Sequence, residues 1–96
     1  MTSPSRFLLD CQLPQIASDL LIAQQADLVQ RLLVGGYLLH YALSDESRHW
    51  WAIVEADTEW EARQLANQLP LCEPEALRIS MLSQYTSPEA AGFSLN

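Results

Sequence analysis

Lysine is missing altogether. The five basic residues of this 96-residue chain are all arginines, set against twelve carboxylates for a formal charge of −7. No basic stripe exists to follow a phosphate backbone, so neither nucleic acid nor an anionic membrane surface is an expected partner. No apolar run approaches the ~20 residues of a membrane span. The opening MTSPSRFLLD lacks a charged leader followed by an apolar stretch, so no signal peptide is expected and the cytoplasm is the default compartment. Cys11 and Cys72 form no CxxC motif. Two buried or half-buried thiols are expected of them, with a disulfide or a reactive thiol as the alternative. The two histidines, His40 and His49, have no nearby cysteine and no HxH or HExxH spacing, which gives no metal signature. No serine sits in a G-x-S-x-G elbow, and the sole Gly-Gly pair reads as a helix end rather than a phosphate loop, so no cofactor is expected.

What is present is a compact apolar pattern. Hydrophobic residues make up 49% of the chain and charged residues 18%, which fits one globular domain. A domain of this size buries only about 60–65% of the surface of its unfolded chain, so association adds stability. RFLLDCQL (6–13) alternates as a strand, and Pro14 ends it. Ala17, Leu21, Leu28 and Leu32, widened by Leu20 and Val29, follow helical spacing from Gln15 to Val34, and Gly35-Gly36 stops that helix. YLLHYAL and RHWWAIVEA flank the turn-rich SDES and read as a hairpin. Thr58 and Glu61 form a capping box for a second helix striped by Ala62, Leu65, Ala66 and Leu69. Pro70 and Pro74 bound a loop, and ALRISML (76–82) alternates as a last strand. The order β-α-β-β-α-β predicts a ferredoxin-like α+β domain over 6–83, a four-stranded antiparallel sheet with both helices on one face. Residues 1–5 are then an N-terminal tail. Residues 84–96 are a C-terminal tail, either a loose terminus or an arm laid across another subunit.

Side chains alternate between the faces of a strand. A turn about Asp45-Glu46 pairs His40 with Trp51, Ala42 with His49 and Leu38 with Ile53. Tyr37, Leu39, Tyr41 and Leu43, with Arg48, Trp50, Ala52 and Val54, then face the helices. The other face collects Arg6, Asp10, Gln12, His40, His49, Trp51, Glu55, Arg78 and Ser80, beside the apolar Leu8, Ile53 and Leu82. Apolar area of that kind marks an interface, which predicts a homodimer or larger symmetric oligomer with clefts at the sheet. In such a cleft His40 is a candidate acid/base or a satisfied interface residue. His49 is a candidate ligand contact or a solvated turn residue. Asp10 and Arg78 read as a proton-transfer carboxylate and a carboxylate clamp, or as an ordinary cross-strand ion pair. Trp51 is a stacking platform or packing.

Several segments resemble one known family, that of the muconolactone isomerases. They are Leu13-Pro14 after the first strand, LVQRLLVGGYLLH at the end of the first helix, VEADT after the third strand and QLPLCEPEALRI leading into the last. The resemblance spans most of residues 7–88. It implies a dimeric α+β barrel type of assembly, sites between subunits, and cofactor-free movement of a double bond in an unsaturated lactone. His40 falls where that family has a strand histidine. The family's catalytic glutamate and lysine on the first helix correspond here to Gln25 and a position near Ile22. An amide is no base, and losing an acid/base group costs about 10²–10⁴-fold in rate. The expectation is therefore a protein that binds a small unsaturated organic acid or lactone without the family's isomerisation. In that reading Arg78, Trp51, Gln25 and His49 contact the ligand. The alternatives are catalysis by displaced groups, with Asp27 on the helix or Asp10 and His40 on the sheet moving the proton, and a purely structural oligomer.

Overall fold

The computed structural model describes residues 4–86. Its elements run β1 (Ser5–Gln12), α1 (Asp19–Gly35), β2 (Leu38–Ser44), β3 (His49–Ala56), α2 (Glu59–Asn67) and β4 (Leu77–Leu82). The strands form one antiparallel sheet in the order β2-β3-β1-β4, the ferredoxin-like βαββαβ arrangement that the alternating segments predict. The core forms between the helices and the inward sheet face. Phe7, Leu9, Cys11, Trp50, Ala52 and Val54 meet Val29 of α1 and Ala62 and Ala66 of α2, all of them buried. Alanines on α2 let that short helix lie close to the sheet. No helix of the described residues is long and apolar enough to cross a membrane.

Local chemistry explains where the boundaries depart from the sequence pattern. Helix α1 begins at Asp19 rather than just after Pro14, because the Ser18 hydroxyl accepts from the Leu21 N–H at 3.2 Å and sets the N-cap. Its other end is as predicted. Gly36 takes φ 81°, a left-handed conformation that glycine adopts without penalty, and its N–H turns back to the Leu32 and Leu33 carbonyls. Thr58 caps α2 by accepting from Glu61 N at 3.2 Å, while the Glu61 carboxylate accepts from the Asp57 N–H at 3.0 Å.

The hairpin is where the prediction needs correction. Its last pair is Ser44 with His49, so the loop is Asp45–Arg48 and the pairings from His40 to Ser44 are displaced by two residues from a turn about Asp45-Glu46. The Ser44 hydroxyl accepts from the Ser47 N–H at 3.0 Å and stabilises this longer turn, and Arg48 completes it at φ 56°. A shift of two preserves facing, so His40, His49 and Trp51 stay on the outer face. Arg48 does not pair as a strand residue; from the turn its guanidinium donates to the Pro14 carbonyl at 2.8 Å. At the far end of β2 a bulge between Leu38 and His40 inserts one residue. It inverts the expected facing there: Leu38 is buried opposite Val54, whereas Leu39 is only half-buried.

Candidate functional site

The first helix supplies no open site. Gln25 is fully buried, the one polar side chain among the described buried residues. Its Nε2 donates to the Tyr41 hydroxyl at 2.7 Å, and its Oε1 accepts from the Leu71 N–H at 2.8 Å. The Leu71 carbonyl in turn accepts from the Trp50 indole at 3.1 Å. Both ends of the amide are thus engaged with protein, tying α1 to β2 and to the segment after α2. Burial raises the Tyr41 pKa, and the hydrogen bond from Gln25 partly opposes that rise. Asp27 lies on the opposite, solvated side of α1, where Arg31 donates to it at 2.9 Å one turn on. The structure therefore separates Gln25 and Asp27 from each other and from the sheet residues.

The outer face of the sheet brings the remaining candidates together. Arg6, Leu8, Asp10 and Gln12 of β1 run along its centre. His49, Trp51, Ile53 and Glu55 of β3 flank them on one side, and Arg78, Ser80 and Leu82 of β4 on the other. Asp10 stands opposite Trp51 on one neighbour and Arg78 on the other. Gln12 stands opposite His49, which makes Asp10 and His49 diagonal neighbours. The diagonal is closed: His49 Nε2 donates to the Asp10 carboxylate. An ionised carboxylate only accepts, so this bond places the imidazole proton on Nε2 and leaves Nδ1 as the basic nitrogen. The His49 ring also stacks on Trp51, with centroids 5.1 Å apart and planes 26° from parallel. Ring and carboxylate are both about one-third exposed, so the pair is held yet reachable.

Arg78 has another position than the cross-strand ion pair weighed from the sequence. Among the described residues the ion-pair partner of Asp10 is His49, and no carboxylate of those residues lies within 4 Å of the Arg78 guanidinium. Asp10, Gln12, His49 and Arg78 line one cleft of about 530 Å³, together with Glu75 and Ala76 from the segment before β4. A base, a cation and an amide therefore converge there. His40 lies elsewhere on the same face, across β3 from this cleft. It is exposed, and its Nε2 shares a hydrogen bond with the hydroxyl of Tyr85. The Tyr85 ring packs beneath the Arg6 guanidinium at 5.2 Å. Leu8, Ile53 and Leu82 join His40 and Tyr85 around a second hollow of about 460 Å³. Residues 84–86 of the predicted tail thus lie on the outer face, and the rest of that tail falls outside the described residues. No group of three or more metal-ligating side chains occurs among the described residues.

Sequence reasoning missed the Asp10–His49 contact, Glu75 and Tyr85. The first had a signal: in this topology β1 and β3 are the central strands, and both residues share the outward parity. The other two lie in irregular segments, where parity says nothing. No family model matches the chain, and no curated protein is significantly similar to it.

Proposed function

We propose that this protein is a homo-oligomeric binder of a small unsaturated organic acid or lactone, muconolactone isomerase-like in design but without that family's original proton-transfer pair. The observation that carries the reading is the Asp10–His49 pair beside the Arg78 guanidinium in a single cleft. Arg78 supplies a planar cation suited to a carboxylate, and the His49 ring, backed by Trp51, supplies a flat wall for an unsaturated carbon skeleton. The neighbouring Leu8, Ile53 and Leu82 supply the apolar area of a sheet-to-sheet contact, which would close the cleft between subunits. Where the resembled family keeps its glutamate, the Gln25 amide is engaged at both ends, by Tyr41 and Leu71.

A second reading, proton transfer at this same cleft, is favoured by the His49–Asp10 bond itself. A carboxylate that fixes the tautomer of an imidazole and stabilises its cation is how a histidine is prepared as a base. One experiment tests both. Thermal unfolding is followed against a panel of unsaturated acids and lactones that includes muconolactone, and any stabilising mixture is then observed by proton NMR in D2O. Binding predicts a raised Tm for at least one compound, and a 10–100-fold weaker affinity in Arg78→Ala, the scale of one charge-assisted hydrogen bond at about 1.5–3 kcal/mol. Migration of the double bond, lost in His49→Gln, selects catalysis. No stabilisation by any compound leaves the outer face as an assembly surface alone.

A further inference from the structure

We propose that the ligand is an extended unsaturated carboxylic acid, held head-first at Arg78 with its apolar body laid diagonally across the outer sheet face. This rests on the acid-binding reading of the Arg78 cleft and adds the length and shape of what enters it. A compact lactone would occupy that cleft alone, yet the concave surface continues beyond it. Leu8, Trp51 and Ile53, with His40 and Ala42, line a second hollow of about 260 Å³. The His49 ring belongs to the polar cleft and the Trp51 ring to this hollow, so the two spaces meet at one stacked pair of rings. Leu8, His40 and Ile53 also line the 460 Å³ hollow that Leu82 and Tyr85 border, which continues the series.

The chemistry changes along this trough. One end gathers the Arg78 cation and the His49 imidazole, whereas no carboxylate or guanidinium of the described residues lines the middle hollow. An anionic head and an apolar body match that division. Register sets the length. Arg78 lies opposite Asp10 and Asp10 opposite Trp51; two residues on, Leu8 lies opposite Ile53 and Ile53 opposite His40. The line from Arg78 to His40 runs from one edge strand to the other, across three strand spacings of about 4.8 Å with an offset of about 7 Å, or about 16 Å in all. With carbon–carbon bonds of about 1.5 Å, a zigzag chain covers that line in about a dozen carbons. A second sheet laid over a hollowed face touches its high points and roofs the trough, so association encloses the ligand rather than displacing it.

The test is isothermal titration calorimetry of the full-length protein with trans-2-alkenoic acids from hexenoic to tetradecenoic. Affinity should rise about 2–4-fold with each added methylene, the scale of burying one CH2, and stop rising near dodecenoic acid. Dodecenol, the same chain without the carboxylate, should bind at least about tenfold more weakly, and Arg78→Ala should erase that difference. Ala42→Phe places a ring in the middle hollow from an exposed position on the edge strand, away from the core. It should bring the affinities of hexenoic and dodecenoic acid to within about threefold of each other. Equal affinity at every chain length would overturn the proposal and leave the Arg78 cleft as a site for compact acids. Binding at no length would overturn the acid-binding reading along with it. Dodecenol binding as tightly as the acid would show that no head group is recognised, and a length preference that survives Ala42→Phe would put the chain on another surface; each overturns the proposal.

Discussion

The two faces of this sheet treat polar side chains in opposite ways. On the helix-covered face Gln25 has no exposure, and its amide is bonded at both ends. On the outer face Asp10 and His49 are bonded to each other yet keep about a third of their surface open, beside an Arg78 with no carboxylate within reach among the described residues. The difference shows what burial does to function. A polar group inside a low-dielectric core must have all its bonds made by the protein, because an unmet one costs about 1–3 kcal/mol. Nothing then remains to offer a ligand. A half-exposed pair can exchange its water for a ligand without unfolding the core around it.

Substitutions can break that contrast at three depths. Gln25→Ala removes two buried hydrogen bonds, orphans the Leu71 N–H and leaves a cavity in the core. It should lower the unfolding free energy by about 3 kcal/mol in a urea titration. A loss below about 1 kcal/mol would mean that water reaches this amide and that the two faces are not so different. Asp10→Asn should cost less than about 1 kcal/mol by the same measurement, since a partly exposed pair is screened by solvent. Its larger effect should be on the His49 imidazole, whose tautomer the carboxylate selects, read as a changed balance of Nδ1 and Nε2 protonation in the nitrogen NMR shifts of that ring. Asp27→Asn should be the mildest, at or below about 0.5 kcal/mol, because the Arg31 pair is an exposed one-turn helix contact. A larger loss there would place α1's outer side in an interface.

Much of this was legible in the chain. Alternation in RFLLDCQL and ALRISML, the Thr58–Glu61 box and the Gly-Gly stop mark real elements, because each is local chemistry that the backbone must obey. Parity sorted Asp10, His49, Trp51 and Arg78 onto one face even though the hairpin register was displaced, since a two-residue slip keeps every side chain on its side. The bulge at Leu39 was not legible: an inserted residue has no composition of its own in YLLHYAL. Gln25 carried a signal, as it sits one turn after Leu21 and one before Val29 on the apolar stripe. Its partners did not, because Tyr41 and Leu71 are brought to it by tertiary packing alone.

The chain of bonds Tyr41–Gln25–Leu71–Trp50 also bears on how the protein comes to fold. It draws on α1, both strands of the hairpin and the segment that follows α2, with partners 16, 46 and 21 positions apart. No fragment that stops short of Leu71 can satisfy it, so a nascent chain holding only the first helix and hairpin must keep the Gln25 amide wet. The circuit therefore acts as a completeness check: the first half of the domain cannot dry its core until the second half has arrived.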